Sequence, residues 1–243
     1  MSDSKPSDET LLAASLTFGV LGKALYRELD NEELDQLLRT RVFTEIPFGE
    51  GQADSQKGIK ELSDWTEENA DGLSQDSCND IRHDFLYLFA GVGRPLAAPW
   101  ESTYCNESRT MFEKQTLQVR DWYKEYGLMI GRKNKEPDDQ IGYELSFIAH
   151  VAHVASEASK SGDSVELEDL LDAIRDFLCQ HLLRWAFTWS TRVQKNARSN
   201  FYKGLALLVS GSLQALSLEL GIKAQDVKQC VTDTPHCHPG PPR

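Results

Sequence analysis

The chain has 243 residues, 40% of them hydrophobic and 26% charged, and carries a net charge of −12. That content supports a buried core, in one large domain or two small ones, and argues against global disorder. The acidic balance makes a nucleic-acid backbone a poor partner and a cationic peptide a better one.

Five cysteines occur, Cys78, Cys105, Cys179, Cys230 and Cys237. The odd count and the absence of CxxC predict neither a disulfide framework nor a zinc site, and reduced thiols in a cytosolic protein are the default. The opening MSDSKPSDET lacks the basic and apolar regions of a secretory signal, and no apolar run approaches the roughly 20 residues of a membrane span.

Residues 1 to 8 read as a loose tail. From there to Tyr26, the residues Leu12, Leu16, Val20, Leu21 and Leu25 recur at helical spacing. Asp30 with Glu33 forms a capping pair for a second helix carrying Leu34, Leu37, Leu38 and Val42, which Pro47 and the run GEGQ end. Residues 54–75 are polar, with Ile59, Leu62, Trp65 and Leu73 sparse among them, and predict an exposed helix. Residues 78–90 predict a stronger one, with Ile81, Phe85, Leu88 and Phe89 on one side. GVGRPLAAPWES marks an ordered loop, after which Ser102 caps a helix over 103–127 that Gly127 ends.

The next loop is KNKEPDDQIGYE, residues 133–144. Asp138 is well placed there as an N-cap, where a carboxylate accepts from free backbone N–H groups. Behind it Ile141, Leu145, Ile148 and Ala152 form one apolar stripe, and Tyr143, Phe147, Val151 and Val154 form another on the opposite side. Only a narrow strip near Ser146, His153 and Glu157 is polar, which predicts a central helix packed on both flanks. SKSGDS breaks the chain at 159–164, and helices follow over 165–190 and 197–220. The ending TPHCHPGPPR, rich in proline, is expected to be disordered. No alternating strand pattern and no solenoid repeat is present, so the fold is all-α.

Motifs for catalysis are sparse. His83-Asp84 resembles the HD pair of helical metal-dependent phosphohydrolases, but no histidine precedes His83 to complete a ligand set. His150, His153 and Glu157 share one helix face, where a polar strip explains them more simply than a metal. His236, Cys237 and His238 sit in the tail, which does not position them. GVG is no phosphate loop, and no GxSxG elbow occurs. What remains is a grouping of Phe85, Leu88, Phe89, Pro99, Trp100 and Tyr104 with Pro137, Asp138 and Asp139. Aromatic and proline surfaces beside acids suit a ligand that is apolar in one part and cationic in another, and they also suit a core.

Three blocks carry a resemblance. YLFAGVGRPLAAPWESTY resembles the Y-x-x-LF-x-GPG…PPWES-x-Y stretch of the TorD/DmsD/NarJ family of redox-enzyme maturation chaperones. EPDDQIGYELSFIAH resembles that family's EPDDHIG-x-EL-x-F-x-A-H. FLCQHLLRWAFTWSTRV followed by FYKGLALL resembles its F-x-x-HL-x-x-W segment and FY pair. The resemblance covers residues 80–210; the first 75 match only in helical character.

It implies a single all-α helical-bundle domain of roughly ten helices, spanning 1–231. Within it an N-terminal part runs to 131, a hinge covers 132–138, a C-terminal part begins at 138, and a disordered tail occupies 232–243. The implied role is that of a cytoplasmic chaperone, not an enzyme, with no cofactor, no metal and no catalytic residues. It would bind the twin-arginine signal peptide and the apo form of a molybdopterin oxidoreductase catalytic subunit until cofactor insertion, with neither nucleic acid nor a membrane segment involved. A NarJ-like assembly chaperone acting on the mature enzyme body is the alternative, and a helical metal-dependent hydrolase using His83, Asp84, His150 and His153 a more remote one. The implied peptide site is Phe85, Leu88, Phe89, Pro99, Trp100, Tyr104, Pro137, Asp138, Asp139 and Gln140, with the two aspartates facing the arginines. Asp139→Asn is expected to weaken binding and leave thermal stability nearly unchanged. Helical hinges at 91–102 and 132–138 would permit a domain-swapped homodimer. Three positions depart from the family pattern: Gln140 stands for its usual histidine, GVG for GPG and APW for PPW.

Overall fold

In a computed structural model, residues 5–43, 46–91, 94–105, 114–130, 136–227 and 230 are described. The N-terminal helices are α1 (Asp8–Leu25), α2 (Asn31–Thr40), α3 (Ala53–Glu68) and α4 (Gln75–Asp84). A π-helical turn, Phe85–Ala90, extends α4 and leads through a loop to the short α5 (Glu101–Cys105) and to α6 (Lys114–Glu125). The C-terminal half holds α7 (Ile141–Ser161), α8 (Ser164–Gln180), α9 (Ala186–Asn196) and α10 (Asn200–Glu219). Among the described residues there is no strand, and the architecture is all-α.

Two helix pairs form the frame: α1 lies along α7, and α3 along α10. Glycines set both approaches. A Cβ added to Gly142 would lie 2.6 Å from the Tyr26 backbone nitrogen, so only glycine lets the end of α1 pass this close to the start of α7. A Cβ on Gly204 would meet the Leu62 side chain at 2.5 Å. The helix over α3 is therefore not the exposed one its polar sequence predicts: Leu62 and Trp65 are buried, and Trp65 packs on Phe201 with ring centroids 4.8 Å apart.

α7 is the central helix its two apolar stripes predict. Leu145, Phe147, Ile148, Val151 and Ala152 are all fully buried, while Ser146, His153 and Glu157 are exposed. One predicted helix is broken. The one expected over 165–190 stops at His181, a 3-10 turn follows at Leu182–Arg184, and α9 begins at Ala186. Of the one expected over 103–127, α5 and α6 are described, and residues 106–113 lie outside the described residues. So do 132–135 of the expected hinge and the tail with His236, Cys237 and His238.

Candidate functional site

The loop before α5 and the loop before α7 are stitched together by main-chain hydrogen bonds. Ile141 N donates to Pro99 O at 2.8 Å, Glu101 N donates to Asp139 O at 3.0 Å, and Trp100 lies opposite Gln140 in an antiparallel bridge. The two sequence blocks thus meet edge to edge, at the point where α1 crosses α7.

The aspartates of EPDD turn inward. Asp139 is 0% exposed and accepts from Ser102 N and Thr116 Oγ1, each at 2.8 Å. It satisfies a free N–H at the start of α5 from across the chain, a role expected of Ser102, which lies inside α5 instead. Asp138 is buried, pairs with Arg120, and receives the Tyr123 hydroxyl on its backbone oxygen at 3.0 Å. It does not cap α7. Gln140 does, because it is the residue directly before Ile141: its Oε1 accepts from Gly142 N at 2.6 Å and Tyr143 N at 3.2 Å. Its Nε2 donates to Leu25 O at 2.9 Å, tying α7 to the end of α1.

Other acids are also internal. Glu101 sits within 2.8 Å of His181 Nδ1 and accepts from Arg184 Nη1 at 3.2 Å, which explains the break between α8 and α9. Glu144 is wholly buried; burial first, then the charges of Glu101 and Asp139, hold its carboxyl well above the usual carboxylate range. Asp84 accepts from Arg198 N, Ser199 N and Ser199 Oγ at 2.7–3.0 Å, anchoring the turn that starts α10. That gives Asp84 a structural role, while His83 stacks on Tyr87 with ring centroids 4.2 Å apart. Among the described residues no group of three His, Cys, Asp or Glu side chains is arranged to hold a metal ion.

A pocket of about 450 Å³ opens beside the stitched loops. Of the expected residues, Phe85, Phe89, Pro99, Trp100 and Gln140 line it. Leu88, Tyr104, Pro137, Asp138 and Asp139, all buried, do not line it, although Phe89, Pro99 and Gln140 are buried too. Tyr104 packs on Trp185 and lies under the Arg192 guanidinium, 4.7 Å from its ring centroid. Leu88 is enclosed in the core, while Phe85 is half-buried and reaches the pocket wall. Tyr26, Arg27, Ala90, Glu136 and Tyr143 complete the wall. Glu136 is exposed and accepts from Trp100 Nε1 at 3.1 Å, so an aromatic plane and a carboxylate face the opening together.

The model of the nitrate reductase delta subunit family matches residues 50–190, more than half of the chain. The chain belongs to this family. Relatives of the delta-subunit family reach further along it. A probable Tat proofreading chaperone DmsD from Haemophilus influenzae is 26% identical over 219 residues, covering 90% of this chain and 97% of its own. A chaperone protein TorD from Vibrio cholerae is 27% identical over 195 residues, covering 80% and 86%. Another from Aliivibrio fischeri is 26% identical over 194 residues, covering 78% and 86%. The resemblance to the TorD/DmsD/NarJ redox-enzyme maturation chaperones is borne out, and with it the all-α fold.

The wall residues that sequence reasoning missed are Tyr26 and Arg27, from the first 75 positions, and Ala90, Glu136 and Tyr143. The signal for Tyr26 and Arg27 is weak but present: an aromatic and a cation stand between the apolar end of one helix and the Asp30–Glu33 capping pair of the next. The cysteine expectation is corrected for this family member. Cys105 at the end of α5 and Cys230 form a disulfide, their Cα atoms 4.6 Å apart, while Cys78 and Cys179 are free. An odd count with wide spacing hides a single long-range pair, because nothing local in the sequence brings residues 125 positions apart together.

Proposed function

We propose that this protein is a cytoplasmic chaperone that binds the twin-arginine signal peptide of a molybdopterin-dependent oxidoreductase subunit and holds the apoenzyme until its cofactor is inserted. The observation that carries the reading is the pocket beside the stitched loops, where Trp100, Phe85 and Phe89 offer apolar surface and Glu136 a carboxylate. A twin-arginine leader presents the complementary pair of features, an apolar stretch behind a cationic one. The name of the Haemophilus relative, a Tat proofreading chaperone, supports it. The buried Asp138 and Asp139 are replaced in this reading by Glu136 as the residue that meets an arginine. The net charge of −12 speeds encounter with a cationic leader at low salt.

The test is calorimetric titration with a synthetic twin-arginine leader, from a molybdoenzyme encoded near this protein, beside the same peptide with both arginines changed to glutamine. The expected result is micromolar or tighter binding, lost with the arginines. Trp100→Ala should weaken it about tenfold or more, as removal of a central aromatic anchor does, without lowering Tm. A folded protein that ignores every such leader but binds the client with its leader removed would favour the assembly chaperone of the mature enzyme body.

A further inference from the structure

Among the described residues that line the pocket, Arg27 is the only cation, and it is already engaged. Its Nη1 and Nη2 donate to the two oxygens of Glu33 at 2.8 and 2.5 Å, a fork on a fork. Its Nε donates to the Tyr26 hydroxyl at 2.6 Å, and Nη1 also reaches Glu28 O at 2.8 Å. The Arg27 hydrogen bonds hold the Glu33 carboxyl below the usual carboxylate range.

The two partners are held very differently. Glu33 belongs to α2, and a capping box fixes it: Oε2 accepts from Asp30 N at 3.1 Å while Asp30 Oδ1 accepts from Glu33 N at 2.9 Å. Arg27 stands in the loop after α1, with 42% of its side chain exposed. The carboxylate is therefore a preorganised receptor, and the guanidinium on it is the more exposed partner. Beyond the pair lies a groove of about 270 Å³ with Val20, Ala24, Leu37 and Val42 in its walls and Glu33 at its edge. The pair thus stands between a pocket of aromatic and polar groups and an apolar groove.

We propose that Glu33 is a second arginine receptor of the leader site and that Arg27 is its resident competitor. A guanidinium of the leader takes the place of Arg27 on the Glu33 carboxylate, while Glu136 meets the other. The inference rests on the leader reading and adds the selectivity of that site. Exchange of one guanidinium for another keeps both parallel hydrogen bonds, whereas a lysine ammonium presents no planar fork to match the two oxygens. The wild-type exchange therefore contributes discrimination and little affinity, since the two bonds formed to Glu33 replace two broken there and Arg27 also gives up Tyr26 and Glu28. Removal of Arg27 leaves the bond formed and nothing to break.

The experiment compares wild type, Arg27→Gln, Glu33→Gln and the double variant. Glutamine at position 33 keeps the capping box, because its carbonyl accepts the Asp30 N–H. The probes are the arginine leader, the same leader with both arginines changed to lysine, and an Arg-Arg dipeptide amide. Arg27→Gln should bind the arginine leader about tenfold tighter, the scale of one freed charge-assisted pair. The lysine leader should gain much less, and the double variant should lose the gain. If Arg27→Gln binds both arginine probes no better than wild type, the receptor assignment is overturned, and the leader reading still stands on Trp100. If no leader binds but Arg27→Gln takes up the dipeptide through Glu33, the receptor stands and the leader reading falls.

Discussion

Glu136 and Asp139 are three residues apart in one acidic run and do opposite work. Glu136 faces the pocket opening with only the Trp100 indole N–H on it among the described residues. Asp139 is enclosed, its oxygens taken by the start of α5 and by Thr116. The same contrast separates Glu33, fixed but reachable behind Arg27, from Glu101, locked between His181 and Arg184. Acidity alone therefore says little about binding. What decides is whether the backbone stitching turns a carboxylate toward an orphaned N–H or toward water, and an enclosed carboxylate acts on stability where an open one acts on ligands.

If that division is right, the inner set and its anchors should dominate stability. The largest effect belongs to the bond that ties α5 to the C-terminal segment. Opening Cys105–Cys230 frees a loop of 125 residues. On the chain-entropy model that costs about 5 kcal/mol and lowers Tm by about 10 °C or more. A thiol titration of the folded protein should find two further reactive thiols after reduction. A titre and a Tm that reduction leaves unchanged would mean that α5 is held by its carboxylates alone.

Next comes Asp139. Asp139→Ala leaves Ser102 N–H buried without a partner and removes the acceptor for Thr116, a loss of about 3 kcal/mol. Leader affinity of the folded protein should hardly move. Trp100→Ala should show the reverse pattern, and the pair of variants measured side by side breaks the comparison if both move the same quantity. The sequence expectation that Asp139→Asn would spare stability is withdrawn for the same reason: the carboxylate has no open side.

The sequence carries most of the fold and half of the site. The stripes on α7, the Asp30–Glu33 box and the break at Gly162 are local patterns, and the structure follows them. Phe85, Phe89, Pro99, Trp100 and Gln140 were legible because each lies within or beside a family block. Three features were not legible. Nothing in FLYLFA marks it as a π-helical turn rather than a continuation of α4. The cap on α5 comes from a residue 37 positions away in sequence. The α3 helix looks exposed because its apolar residues are few, and Gly58 and Gly204 let those few, Leu62 and Trp65, close on α10.

The smallest effect, and the one most specific to the inner set, is expected at Glu144. This side chain is buried beside Glu101 and Asp139, and Trp185 Nε1 donates to its Oε2 at 3.4 Å. Its Oε1 has no hydrogen-bond partner among the described residues, a cost that rises steeply if the group is charged. Burial, then repulsion from Glu101, raises its folded pKa above the ordinary 4.5. The folded state therefore holds this proton to higher pH than the unfolded state does. The stability it contributes is fully present below 4.5 and is lost as pH rises through the raised folded value. Glu144→Gln cannot ionise and keeps a carbonyl for Trp185. Its Tm should match wild type near pH 4.5, and the gap in its favour should widen toward neutrality. A gap that stays constant across that range would show that Glu144 ionises as freely inside as outside. The line drawn between enclosed and open carboxylates would then have to be redrawn around Asp139 and Glu101 alone.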